Sequence, residues 1–176
     1  MTAETFRDAL LTVSDALNAN AHMNEPIPVK AQDPSSEDLD KNRIAYESFP
    51  HRTVYLPVVR SHIYDLLALL DFPNATAPIG KRSQTTVPTQ ALMMFNSPFV
   101  KEMAKQTCQR VLHLSKSPTN RLDGMYRILF SRLPSEEEKV ASLELLNKSS
   151  ELLDEQSTWE TLCHVLMISN DFIYVY

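Results

Sequence analysis

Glycine is nearly absent, with Gly80 and Gly124 the only two in 176 residues. Folds that cradle a nucleotide on glycine-rich turns are therefore disfavoured. Cysteine is as scarce. Cys108 and Cys163 are too few and too widely spaced for a disulfide scaffold or a zinc site, and no Cys-x-x-Cys-His occurs to attach a c-type haem. Each lies in an apolar-rich helical stretch and reads as a buried free thiol, a disulfide between them being the alternative in an oxidising compartment. No apolar run reaches the ~18 residues of a membrane helix. Cations are outnumbered, 17 Lys plus Arg against 22 Asp plus Glu, for a net charge of -5. That balance argues against nucleic acid as a partner, because neutralising phosphates needs an excess of positive charge. Zinc-protease helices and nucleophile elbows are missing too, so no catalytic residue, metal ligand or cofactor is assigned to this chain.

What is present is apolar periodicity, broken by eleven prolines. Hydrophobic residues make up 43% and charged residues 22%, the mix of a globular domain with a sizeable core. Phe6, Leu10, Val13 and Leu17 recur at helical spacing, with Arg7, Asp8 and Asp15 off the stripe, so Thr2 to Asn18 reads as an amphipathic helix. Residues 19–50 read as a long polar loop, with at most a short helical turn at Ser36 to Arg43 behind a serine cap. His22 and Met23 fall in that loop and read as solvated rather than as metal or haem ligands. Thr53 to Pro57 has the make-up of a short edge strand. Val58 to Phe72 reads as a helix with Ile63, Leu66, Leu67 and Leu70 inward, and His62 with Asp65 or Asp71 is the nearest thing to a hydrolytic pair. Beyond Pro98 come helices with Phe99, Val100, Met103, Cys108, Val111 and Leu112, then Leu122, Met125, Tyr126, Leu129 and Phe130, facing inward. Met93, Met94 and Met103 read as core packing, and Gly124 permits a close helix approach. Ser135 with Glu138 fits a capping box before a helix that turns Val140, Leu143 and Leu146 inward. Ser157 with Glu160 repeats the pattern. The expected class is mainly α: a single domain of about six helices, with residues 1–18 an N-terminal helix, 19–50 the loop and 51–176 the helical body.

Chemistry-bearing groups converge in one stretch, Ile79 to Val100. Gly80 is expected to turn with positive φ, and Pro88 to begin a helix. Lys81, Arg82, Thr85, Thr86 and Gln90 approach that helix start, and Asn96 follows at its end. From Ile79 to Arg110 five cations face one carboxylate. Such a place either holds an anion or docks a neighbouring domain, and its threonines and glutamine also suit plain helix capping.

Gly-Lys-Arg-Ser-x-Thr-Thr-x-Pro-Thr-Gln-Ala-Leu, followed by Asn-Ser-Pro-Phe-Val, resembles the signature of the planctomycete C-terminal domain of unknown function numbered 1553. His51 to Val58, Tyr126 to Pro134 and Leu162 to Tyr176 are similar to that family in the same order. The resemblance implies no activity. It implies a C-terminal part of a large exported protein, with upstream domains as partners and c-type haem only in those other domains. Met1 to Asn18 does not look like a signal peptide, so the expectation is a piece of such a protein; the resemblance implies export to the periplasm or cell envelope for family members and assigns no location to this chain. The function expected is a non-catalytic docking module that presents the Lys81 to Gln90 loop and the Met93 to Phe99 corner. The alternative is a binding or hydrolytic domain for acidic polysaccharide, with Lys81 and Arg82 facing its anions.

Overall fold

A computed structural model describes residues 1–20, 27–30, 32, 34–60, 62–74, 80–82, 85 and 87–174. Among these the chain is mainly α-helical, as its periodicity predicts, and contains no strand. The helices are α1 (Ala3–Val13), α2 (Ser36–Ser48), α3 (Asp65–Leu69), α4 (Pro88–Asn96), α5 (Pro98–Leu114), α6 (Pro118–Phe130), α7 (Glu136–Ser149), α8 (Glu155–Met167) and α9 (Asn170–Ile173). They fall into two compact units, Met1–Ala9 with Leu17–Met93, and Leu10–Ala16 with Met94–Tyr176.

In the first unit the elements differ most from the sequence reading. α2 is thirteen residues long rather than a single turn. Ser35 and Asp38 form a reciprocal capping box, and Asn42 receives the Lys30 N–H at 2.9 Å while donating to the Lys30 carbonyl at 3.0 Å. Only Asn42 and Tyr46 are buried along the helix, so caps and a polar bracket hold it where no apolar stripe exists. Thr53 to Pro57 is no strand. Thr53–Tyr55 is a 3-10 turn, with Thr53 buried inside it and Leu56 and Val59 buried in the non-helical backbone that follows. The helix expected from Val58 to Phe72 survives only as α3, closed where Asp71 turns left-handed at φ 60° and the Phe72 N–H reaches the Leu67 carbonyl at 3.0 Å.

The second unit follows its sequence closely. α5 buries Phe99, Val100, Met103, Ala104, Thr107, Cys108 and Val111, a continuous helical stripe that packs against α8 and α6. Ser97 caps it and Pro98 occupies its first turn. α6 buries Leu122, Met125, Tyr126 and Leu129. A Cβ added at Gly124 would lie 2.8 Å from Leu114 Cδ1, so the glycine does sit at a close approach of two helices. α8 adds Thr158, Trp159, Leu162, Cys163 and Met167 to the core, and Met94 and Met103 are buried as expected. The Ser135–Glu138 capping box forms. Other details differ: α7 buries Ser142 and Leu146 while Val140 is exposed, and α8 is capped by Asp154, with Ser157 already inside the helix. The first helix stops at Val13 rather than Asn18 because Asp15 adopts φ 63°, letting the Ala16 N–H close onto the Leu11 carbonyl at 2.9 Å.

Candidate functional site

The segment singled out in the sequence is fastened onto its own unit. Arg82 donates to Glu4 Oε1 at 2.7 Å, and its guanidinium lies 5.8 Å from the centroid of the Phe72 ring. Burial works to raise the Glu4 pKa, but hydrogen bonds from backbone, Arg82 and Thr2 outweigh it and the net shift is downward. Thr85 gives its backbone N–H to Asp71 Oδ2 at 2.6 Å and its hydroxyl to both Asp71 oxygens, at 2.8 and 2.9 Å. Asp71 thus closes α3 with its backbone and pins Thr85 with its carboxylate. Gln90 is buried; it accepts from the Val87 N–H at 3.3 Å and donates to the Leu69 carbonyl at 2.9 Å. Lys81 is exposed. Asn96 is also exposed but belongs to the second unit. Thr86, His22 and Met23 lie outside the described residues. Gly80, expected at positive φ, is not there: no glycine among the described residues has positive φ, and a Cβ at Gly80 would meet nothing within 4 Å.

A polar centre that sequence reasoning missed lies at Arg7. Its side chain is fully buried, donating from Nη1 to the His51 carbonyl at 3.1 Å and Thr53 Oγ1 at 3.3 Å, and from Nη2 to the Tyr46 and Phe49 carbonyls at 3.0 and 2.5 Å. Asp8 completes the arrangement by accepting the Thr53 N–H at 2.7 Å and the Thr53 hydroxyl at 2.6 Å. The hydroxyl therefore donates to Asp8 while accepting from Arg7. Burial lowers the Arg7 pKa, yet a guanidinium starts so high that it remains charged. Helical spacing did hold a signal. Ala3, Phe6, Arg7 and Leu10 stand at i, i+3, i+4 and i+7, which puts the arginine inside the buried arc rather than beside it.

One open cleft lies in the same unit, with a volume of about 200 Å³. It is lined by Asp40, Asn42 and Arg43 of α2, with Tyr46, and by His62, Tyr64 and Asp65 at the start of α3. The fold so brings His62 and Asp65 to one cavity, while Asp71 is engaged by Thr85. Arg43 approaches Glu47 at 3.3 Å and Asp40 at 3.6 Å. Tyr64 stacks on Tyr46 with ring centroids 5.1 Å apart, and the Tyr46 hydroxyl donates to the Pro57 carbonyl at 3.0 Å. No group of three His, Cys, Asp or Glu able to hold a metal occurs among the described residues. No described helix is long and apolar enough to cross a membrane.

In the second unit Cys108 and Cys163 are buried free thiols. Burial pushes the Cys108 thiol up to about 12 and raises Cys163 as well, so neither is a ready nucleophile. His164, beside Cys163 in sequence, stacks on Phe95 at 5.6 Å and places Nε2 3.3 Å from the Met94 carbonyl; burial lowers its pKa.

The family described as "PSD1: Protein of unknown function (DUF1553)" matches residues 1–146. The chain belongs to that family. The PSD1 match takes in Arg7, the cleft and the whole stretch from Ile79 to Val100, together with the similar pieces at His51 to Val58 and Tyr126 to Pro134. Leu162 to Tyr176 lies outside it. None of the curated proteins and no solved structure matches the chain.

Proposed function

We propose that this PSD1 chain is a non-catalytic interaction module, the helical docking part of a larger exported multidomain protein whose other domains carry c-type haem, as the resemblance to planctomycete proteins implies. The observation that carries the reading is the 3-10 turn at Thr53–Tyr55 and the residues just after it. Thr53, Leu56 and Val59 are buried, whereas Val54 is 71% exposed and Tyr55 and Val58 are 38% and 47% exposed. Arg7 and Asp8 hold this backbone from within. A rigid turn that shows apolar side chains to solvent loses little conformational freedom on association, which favours a docking surface. The polar residues of the 81–90 segment are turned to their own unit, so the docking surface proposed is the 3-10 turn in place of the Lys81 to Gln90 loop. Arg82, Thr85 and Gln90 are engaged by Glu4, Asp71 and the Leu69 carbonyl, which leaves Lys81 to recommend the acidic-polysaccharide alternative.

The test is calorimetric titration of this chain with the separately produced upstream part of its parent protein. Association at about 10 μM or tighter is expected. Val54→Asp combined with Val58→Asp should weaken it at least about tenfold with the helical circular dichroism unchanged, since both side chains are exposed. A wild-type chain that binds no upstream segment, or a double variant that binds equally well, would remove the proposal.

A further inference from the structure

Between Glu47 and Asp65 the chain carries no acidic residue, although acids outnumber cations over the whole sequence. The exposed positions from 52 to 60 are Arg52, Val54, Tyr55, Pro57, Val58 and Arg60. Apolar side chains are thus bracketed by two guanidinium groups. The Arg52 side chain is 63% exposed and gives only its Nε to Asp8 Oδ2, at 3.5 Å. Asp8 is itself occupied by Thr53, whose N–H and hydroxyl it accepts at 2.7 and 2.6 Å. Arg60 is exposed and makes no hydrogen bond or ion pair among the described residues. Behind the turn the charges oppose one another: at Tyr64 the fields of Glu47 and Asp65 meet those of Arg7 and Arg43, and Glu47 lies 3.3 Å from Arg43. The charge left over on this face is positive.

A second feature lies on the same face. Leu56, Pro57, Val58, Ile63, Leu67 and Phe72 are among the residues that line a small pit with a volume of about 20 Å³. Val58, half-exposed, belongs both to this pit and to the docking surface. A single water needs ~10–15 Å³ on this measure, so the pit has room for a methyl-sized group. The tip of a branched aliphatic side chain fits, and an aromatic ring does not. The Tyr46 hydroxyl, which also borders the pit, is spent on the Pro57 carbonyl at 3.0 Å, so the lining remains mostly apolar.

We propose that this face takes an acidic peptide segment of a protein partner, which sets the tip of a leucine, isoleucine or valine in the pit and its carboxylates against Arg52 and Arg60. Guanidinium groups pair with carboxylates through two parallel N–H···O bonds, which fix orientation as well as adding attraction. An anionic bilayer would feel the same charges, but polybasic membrane sites use clusters of ~4–8 cations. Here two stand on a chain of net charge -5, which favours the peptide. The inference rests on the docking reading above and adds to it the chemistry of the partner.

Titration of the whole chain followed by nuclear magnetic resonance tests it, with a short peptide that carries one leucine between two pairs of glutamates as probe. Counterparts replace the glutamates by glutamine or lysine, or the leucine by alanine, and vesicles of phosphatidylcholine with phosphatidylserine represent the bilayer. Saturable shifts at Val54, Val58 and Arg60 are expected with the acidic peptide at about 0.1–1 mM, at least about fivefold weaker binding with glutamine, and none with lysine. The alanine peptide should bind about threefold more weakly than the leucine peptide. Raising the salt from about 0.05 to 0.5 M should weaken the acidic peptide severalfold. Arg60→Gln should cost about threefold to fivefold, and Arg52→Gln less, because Asp8 already shares that side chain. Equal binding of the glutamate and glutamine peptides, binding unchanged when Arg52→Gln and Arg60→Gln are combined, or capture by vesicles without saturation by peptide would overturn the proposal. The upstream part of the parent protein separates this inference from the reading beneath it. If that part binds but neither salt nor the combined arginine variant weakens it, docking stands and the acidic partner falls. If the acidic peptide saturates the face and the upstream part does not bind, the docking partner named above falls and the acidic segment belongs to another protein.

Discussion

In the second unit the side chains that hold the helices together are apolar and recur at helical spacing, from Phe99 to Val111 on α5 and from Leu122 to Leu129 on α6. In the first, the long-range ties are polar: Arg7 to four oxygens, Asp8 to Thr53, Arg82 to Glu4, Asp71 to Thr85 and Gln90 to the Leu69 carbonyl. Apolar contacts are non-directional and tolerate exchange of one hydrocarbon for another of similar volume. Polar ties have one geometry, and a buried tie such as those of Arg7, on losing one partner, leaves the other buried and unmet. The first unit therefore stands to fail at single atoms, and the second to erode with volume.

The strongest way to break this contrast is Arg7→Met, which keeps side-chain bulk while deleting every donor. It strips partners from the Tyr46, Phe49 and His51 carbonyls at once, and should destabilise the first unit by about 3–5 kcal/mol. In the second unit the counterpart is Leu122→Met, a volume-conserving change at a fully buried site, expected to cost under about 1.5 kcal/mol. Urea unfolding gives the magnitudes, and amide exchange gives the location: protection should fall in α2 and the 3-10 turn more than in α5 and α8. Equal cost for the two substitutions, or exchange that rises uniformly, would show that the polar ties are not what holds the first unit.

The same contrast explains what the sequence could disclose. Stripes such as Phe99, Val100, Met103, Cys108 and Val111 announce a helix and its buried face together, so α5 and α6 are readable in advance. α2 gives no such notice, because it buries Asn42 and Tyr46 alone and depends on a cap and on the bracket from Lys30. The 3-10 turn is hidden for a different reason. The β-branched and aromatic residues of Thr53–Tyr55 imitate a strand. The 81–90 segment was visible as a concentration of polar groups, whereas their partners, Glu4 and Asp71, lie 78 and 14 residues away from Arg82 and Thr85. The cleft draws on α2 and on the start of α3, and no local pattern joins Asp40 to Asp65.

A smaller effect tests whether an exposed polar tie in the second unit behaves like those of the first. Arg132 donates to both oxygens of Glu138, at 2.6 and 2.7 Å, and also to Asp171 at 2.9 Å. Led by the Arg132 hydrogen bonds, the Glu138 carboxyl is held down to about 2. A carboxylate with a depressed folded-state pKa adds stability above its unfolded value, near 4.5, and that stability is lost as pH falls from there through about 2. Arg132 is 42% exposed, so screening reduces the contribution to about 1 kcal/mol. Glu138→Gln should therefore be less stable than the parent at pH 6 and converge with it by about pH 2. A gap that persists unchanged across that range would assign the effect to the helix cap instead of the ion pair.

The smallest effects concern two aspartates with the same backbone and different surroundings. Asp15 and Asp71 have φ of 63° and 60°, a conformation that glycine adopts without strain. Asp15 is exposed and its side chain holds nothing among the described residues, so Asp15→Gly should relieve strain and stabilise by about 0.5 kcal/mol, part of the gain being offset by the freer unfolded chain. Asp71→Gly relieves the same strain but releases the Thr85 N–H and hydroxyl, and should destabilise by about 1 kcal/mol. Gly80→Ala completes the set: its φ is not positive and its Cβ would meet no atom, so restricting the unfolded chain should stabilise by a few tenths of a kcal/mol. Thermal melts of the three variants order them, Asp15→Gly and Gly80→Ala above the parent and Asp71→Gly below. If Asp71→Gly instead rose with Asp15→Gly, backbone strain would outweigh the carboxylate's hold on Thr85, and the polar ties of the first unit would count for less than its backbone geometry.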